Sequence, residues 1–303
     1  MLLETKLPIQ YIFTRILPDI LRVLMISIVF QLLKKYFAAD LPPIPLQLPT
    51  ILGSSISLLL AFKIGQSYDR WWEARKLWGA IVNDSRTLVL QIKSFVRKDF
   101  LSLPAEDSPL KAIAYRQIAW CYVLGESLRG LDPTATLEKY LPEPELLYLR
   151  PQNNKALALL ALHAEQIKTL HEQEALNTFQ QVQLDSTLVR LCDSMGGAER
   201  IKNTVFPVTY RLLLHFFIYL FLLTLSLGLV ETIGLWEIPV LLAIASTFFL
   251  LERTARYLQD PFNNYPTDTP VTAIARTVDI NLKQLLQEAQ VPAPLVAQQF
   301  YVM

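Results

Sequence analysis

The chain has 303 residues, of which 52% are hydrophobic before its nine glycines are counted, and 18% are charged, 28 Lys and Arg against 27 Asp and Glu. An ordinary soluble domain carries about 45–50% apolar residues with glycine included and about 25% charged ones, so the composition excludes disordered, collagen-like and low-complexity architectures. The near-neutral balance gives no basis for a nucleic-acid partner, and Cys121 and Cys192 alone cannot build a disulfide framework.

The apolar excess is gathered into runs. The first, Ile16–Leu33, is interrupted only by Pro18, Asp19, Arg22, Ser27 and Gln31. It reads as a membrane span whose polar residues meet protein rather than lipid. A secretory leader is disfavoured despite Ala38-Ala39, because the stretch ahead of the run is long and carries acids as well as bases. Leu41–Phe62 has no charge, and Pro42, Pro43, Pro45 and Pro49 confine its helix to about Pro49 onward, where proline suits a first turn. Lys63–Lys98 lacks proline and places Trp71, Trp78, Ile81, Leu88, Ile92 and Phe95 at helical spacing. Joined to the second span, this predicts one helix of roughly 70 Å.

Breaks follow at Pro104–Pro109, Leu131-Asp132-Pro133 and Pro142–Pro144, separating helical stretches over about 110–129, 154–172 and 175–203. Leu212–Val230 then runs nineteen residues without a charge, nearly enough for a hydrocarbon core of about 30 Å. After the link Glu231–Glu237 comes Ile238–Leu251, with Leu235 and Trp236 as an interfacial edge. No β alternation and no internal repeat is present. The expected fold is all-α: four transmembrane helices and a large cytoplasmic helical domain. The segments expected are 1–62, holding the first two spans; 63–204, cytoplasmic; 205–258, the last two spans; and 259–303, cytoplasmic.

Four spans place both termini on one side of the cell membrane. Lys63, Arg70, Arg75, Lys76, Arg253 and Arg256 make that side the cytoplasm, and the acidic Glu231–Glu237 link falls outside; Lys34 and Lys35 count against this.

Catalytic signals are thin, and no enzyme is expected. There is no glycine-rich phosphate loop and no CxxC. His163 and His171 lie two helical turns apart beside Glu165, Glu172 and Glu174, but HEQE is not a zinc motif, and these residues read as a solvated polar face. His215, one turn from Arg211, reads as interfacial. The second span is more informative: Ser54, Leu58 and Phe62 share one helical face. Small residues permit close helix packing; an apolar stripe around an axis instead forms a constriction that gates ions by dewetting. Spacing alone leaves both open.

Beyond that stripe, Ala61-Phe62 and then Tyr68-Asp69-Arg70-Trp71-Trp72-Glu73-Ala74-Arg75-Lys76-Leu77-Trp78-Gly79 resemble the bestrophin family, in its prokaryotic branch. Glu199-Arg200-Ile201-Lys202-Asn203-Thr204 with Pro207 and Tyr210, and Asp260-Pro261-Phe262, resemble two later family segments. The resemblance covers essentially the whole chain in order. It implies a homopentameric channel for small inorganic ions, set in membrane lipid, with Ser54, Leu58 and Phe62 lining the neck. Serine replaces the family's usual bulky outermost residue, which implies a wider, wetter outer neck. A second, cytoplasmic aperture maps onto Phe179 and Gln180. Animal relatives carry a calcium clasp after the last of these segments, whereas DPFNNYPTDTP keeps only Asp260 and Asp268, with Asn263 for glycine and Tyr265 for an acid. Calcium wants six to eight oxygen ligands, so no cofactor is expected. Eukaryotic relatives pass chloride and other anions, and prokaryotic ones include cation-preferring channels. The cations beside the neck tilt the expectation towards anions, with sodium or potassium as the alternative. A coupled transporter is a remote third reading, because interrupted spans and midplane ionisable groups are not evident.

Overall fold

The computed structural model describes residues 9–37, 45–101, 108–204, 207–297 and 301. Ala38-Ala39, Pro42-Pro43 and Pro104 lie outside the described residues. Among the described residues the secondary structure is helical, with no strand element.

Helix α1 covers Ile9–Phe37 and carries Pro18 within it. Helix α2 covers Gln47–Phe95, 49 residues without a break, or about 73 Å of rise. Pro49 falls in its first turn, and the helix starts two residues earlier than Pro49, where it was expected to begin. Short α3, Lys98–Leu101, precedes α4, Pro109–Leu128. The stretch in which only proline breaks were expected contains two further helices, α5 over Thr134–Tyr140 and α6 over Glu143–Leu149. Pro133 and Pro142 sit at their N-caps, so each proline starts a helix. Helix α7, Lys155–Glu172, is capped by Asn154, whose side chain accepts from the Leu157 N–H at 3.0 Å. Helix α8, Thr178–Asn203, opens on a reciprocal capping box between Asn177 and Gln180.

Helix α9, Val208–Ile233, and helix α10, Glu237–Gln259, are joined by a 3₁₀ turn at Gly234–Trp236. The link expected from Glu231 is therefore shorter: α9 continues to Ile233, and Gly234, at φ 58°, makes the reversal. Helix α11, Val271–Leu285, was not anticipated; it buries Val271, Ala275, Val278 and Leu282 along one face.

The chain forms two compact units. One comprises Glu4–Arg70 with Val205–Asp260. Its core joins Val23, Ile56, Leu60, Ile218, Leu222, Leu241, Ala245 and Phe249. A Cβ on Gly53 would lie 3.0 Å from the Phe221 ring, so glycine here lets α2 and α9 approach closely. Four helical segments, Ile16–Phe37, Gln47–Phe95, Thr209–Leu229 and Gly234–Gln259, are long and apolar enough to cross a membrane.

The other unit comprises chiefly Trp71–Thr204 and Pro261–Met303. Helix α4 lies at its centre, packed by α5, α7, α8 and α11. Trp78, Trp120, Ile81, Leu88, Ile92, Ile113, Ile118 and Leu282 are fully buried there. His163 belongs to this core and not to a solvated face. Both its ring nitrogens lack a hydrogen-bond partner. Burial and the neighbouring Arg116 guanidinium hold its pKa well below the ordinary imidazole value, so the ring is neutral. His171 stays near the surface, its Nε2 3.3 Å from Thr178 Oγ1. Helical spacing put the two rings on nearby faces but left open which face meets the core.

Candidate functional site

The first half of α2 has two unlike faces. Ile56, Leu60, Lys63 and Ser67, spaced four, three and four residues apart, are buried. On the other side Ser54 is exposed, and Leu58 and Phe62 are 60% and 61% exposed. Among the described residues the stripe is therefore mostly uncovered, so close helix packing inside a subunit does not account for it.

The small polar residues in the first turns of α2 hold a fixed geometry. Thr50 Oγ1 donates to the Leu46 carbonyl at 2.7 Å, and Ser54 Oγ to the Thr50 carbonyl at 2.9 Å. Ser55 and Ser57 donate likewise to Ile51 and Gly53, at 2.9 and 2.8 Å. Each hydroxyl hydrogen is thus turned back onto its own helix, leaving oxygen lone pairs to face outwards.

One residue past the stripe, Lys63 turns inward. Its Nζ lies 3.0 Å from Glu252 Oε1, and both side chains are 1% exposed. Glu252 also receives Arg256 Nη2 at 3.2 Å and sits 3.5 Å from His215 Nε2. Lys63 was expected among cations at the neck's inner mouth; it is paired and buried, and lends no free charge to the exposed stripe. His215 lies in the same group, one-third exposed.

The charged belt that follows reaches residues far away in sequence. Arg70 Nε donates to the Gln259 carbonyl at 2.9 Å, and its Nη2 stands 3.9 Å from Asp260. Asp69 is exposed. In the second unit Trp71 donates through Nε1 to the Thr267 carbonyl at 3.0 Å and stacks on Trp72 with centroids 6.2 Å apart. Glu73 pairs with Arg200 at 2.7 Å, and Glu199 accepts from Asn154 Nδ2 at 2.8 Å. Phe262 is 1% exposed, and the buried Pro261 accepts through its carbonyl from the Thr269 N–H. The three sequence segments thus meet in pairs, as fixtures between elements.

In the loop after α10, Asp268 is fully buried, and its Oδ2 accepts from the Tyr265 N–H at 3.0 Å. Burial pushes its carboxyl up to about 6, against backbone N–H groups and Arg129 that act the other way. Among the described residues no group of three or more Asp, Glu, His or Cys gathers as a metal site. At the start of α8, Phe179 is 89% exposed, whereas the Gln180 side chain accepts from the Asn177 N–H at 2.9 Å. That amide is committed to the helix cap.

Two polar clusters among the spans were not recognised from sequence. Glu237, fully buried at the start of α10, accepts from Ser226, from Ser27 Oγ at 3.1 Å and from Gln31. Asp19 accepts from Arg22 and Arg253. The available signal was the set of polar residues inside the first apolar run; their partners lie more than two hundred residues away.

Four membrane-length helices, with the buried Lys63–Glu252 ion pair between two of them, define a polytopic helical membrane protein. The family described as Bacterial/Fungal Bestrophin protein matches residues 8–284, and the chain belongs to that family. Among its relatives are the voltage-dependent anion channel-forming protein of Escherichia coli, 30% identical over 252 residues, 83% of this chain and 80% of that one. A protein of the same description from Mesorhizobium japonicum is 30% identical over 288 residues, 95% of this chain and 90% of that one. The crystal structure of a bacterial bestrophin homologue from Klebsiella pneumoniae superposes with a TM-score of 0.83 at 29% identity, covering 91% of this chain and all of that one.

Proposed function

We propose that the chain is one subunit of a homopentameric anion channel of the cell membrane, with Ser54, Leu58 and Phe62 of each copy lining its neck. The observation that carries this is the stripe itself. Two bulky apolar side chains stand about 60% exposed on a helix whose opposite face is fully packed. Gathered around an axis, they form a constriction that conducts only when wetted. The relatives described as anion channel-forming proteins support the choice of anion, with chloride as the simplest candidate. Both termini lie in the cytoplasm in this reading, and no calcium is needed for opening.

The serine geometry favours one other reading. An anion is solvated by donors and a cation by oxygen lone pairs, and Ser54 presents lone pairs. The same neck then passes sodium or potassium.

The purified protein in a planar bilayer under a KCl gradient separates the two. A reversal potential near the chloride equilibrium value, unchanged by a calcium chelator, is the expected result. A value near that of potassium selects the cation reading, and absence of single-channel current overturns the channel.

A further inference from the structure

Midway along α1 and in the last third of α10, two arginines share one carboxylate. Arg22 Nη1 lies 2.9 Å from Asp19 Oδ1, and Arg253 Nη2 lies 2.7 Å from Asp19 Oδ2. Asp19 is 12% exposed and Arg253 21%, but the Arg22 side chain is 60% exposed. Arg22 also meets the side chain of Tyr219 on α9, an uncharged partner, while Glu252, the carboxylate next to Arg253 in α10, is already occupied by Lys63, Arg256 and His215. Among the described residues the cluster therefore carries one positive charge in excess, and most of that charge stands on the outside of the bundle.

The surroundings of Arg22 say what neutralises it. Leu17, Leu21 and Met25, on the same helix, are 48%, 50% and 62% exposed, so the guanidinium emerges from an apolar surface left bare by the rest of the chain. It stands six residues, or about 9 Å, inside the start of the apolar segment at Ile16, and Arg253 stands as far from the end of α10 at Gln259. From that depth a long basic side chain reaches the headgroup level.

We propose that Arg22 and Arg253 bind the phosphate of an anionic phospholipid at this end of the bundle. A guanidinium fork matches phosphate oxygens, and basic pockets between spans at a membrane boundary bind acidic headgroups. A lipid meets both halves of the site: its phosphate faces Arg22 while its acyl chains cover Leu17, Leu21 and Met25. Free phosphate meets only the first half.

Phosphatidylglycerol, phosphatidylcholine and inorganic phosphate are titrated separately into the protein in neutral detergent, with bound lipid counted by native mass spectrometry. Phosphatidylglycerol is expected to bind well ahead of phosphatidylcholine, with inorganic phosphate a weak competitor. Arg22→Gln weakens phosphatidylglycerol about fivefold, the effect of one basic side chain near a headgroup, and Arg22→Lys restores it to within about twofold. Asp19→Asn, which releases both guanidiniums, tightens binding, a change that a merely structural role would not produce. Equal binding by wild type and Arg22→Gln overturns the proposal. So does equal binding of the two lipids, or equal loss in Arg22→Gln and Arg22→Lys.

Discussion

Lys63 Nζ and Glu252 Oε1 stand 3.0 Å apart with both side chains out of solvent, tying the helix of the proposed neck to the last span. The two partners are not equivalent. Glu252 retains Arg256 and His215 when Lys63 is lost, whereas Glu252 is the counter-ion recorded for Lys63 among the described residues. Removing one member of a buried pair costs about 3–5 kcal/mol, chiefly because the other charge is stranded. Glu252→Gln should therefore lower the melting temperature more than Lys63→Met. The double variant Lys63→Met/Glu252→Gln should recover part of that loss, as thermal unfolding in detergent would show. Equal effects of the two single variants would refute the asymmetry.

The neck stripe makes a size prediction. Leu58→Ala and Phe62→Ala should raise single-channel conductance or open probability by roughly twofold or more, because a wider apolar constriction wets more readily. Ser54→Ile should lower conductance by drying the outer neck. Unchanged currents in all three would remove the stripe from the conduction path.

His163 predicts an acid sensitivity. Its folded pKa lies below its free value, so below about pH 6.5 the unfolded chain takes up a proton that the native core excludes. Stability from this group is present above that pH and is lost as pH falls, by up to about 1.4 kcal/mol per unit. His163→Leu should abolish the loss. The melting temperatures of variant and wild type at pH 7.5 and 5.5 test this.

Asp268 predicts the opposite slope. Its folded carboxyl titrates near 6, above its free value of 3.8, so the native state holds a proton between those values that the unfolded chain releases. This contribution grows as pH falls from about 7 towards 4, partly offsetting His163. Asp268→Asn, which keeps an oxygen for the Tyr265 N–H, should be more stable than wild type at pH 8 and lose that advantage by pH 4.5. An advantage that persists at pH 4.5 would contradict the buried-carboxyl account.

Local pattern made much of this protein legible. The length of α2 follows from the absence of proline after Pro49 and the recurrence of Trp71, Trp78, Ile81 and Leu88. Ser54, Leu58 and Phe62 share a face because of their four-residue spacing, and their exposure agrees with it. What spacing does not carry is partnership. Glu252 meets Lys63 across 189 residues, and Glu237 meets Ser27 across 210, so neither pair leaves a local trace. Periodicity placed His163 near His171 but gave no direction for the core. Helix α11 does leave a local trace, Val271, Ala275, Val278 and Leu282 recurring at three- and four-residue spacing after Pro270; what lies far off in sequence is α4, the helix that receives this face.

Phe179 carries a consequence of its own. With Gln180 held in the helix cap, the group left bare at the start of α8 is a benzene ring. A phenyl ring has no net charge but is negative over its face and positive at its rim. In the proposed pentamer, five such rings around the axis would present one sign when they stand edge-on and the other when they lie flat. If Phe179 lines a second aperture, as proposed from the family resemblance, a quarter-turn about a single side-chain bond would reverse which ion it welcomes, without any charged residue taking part.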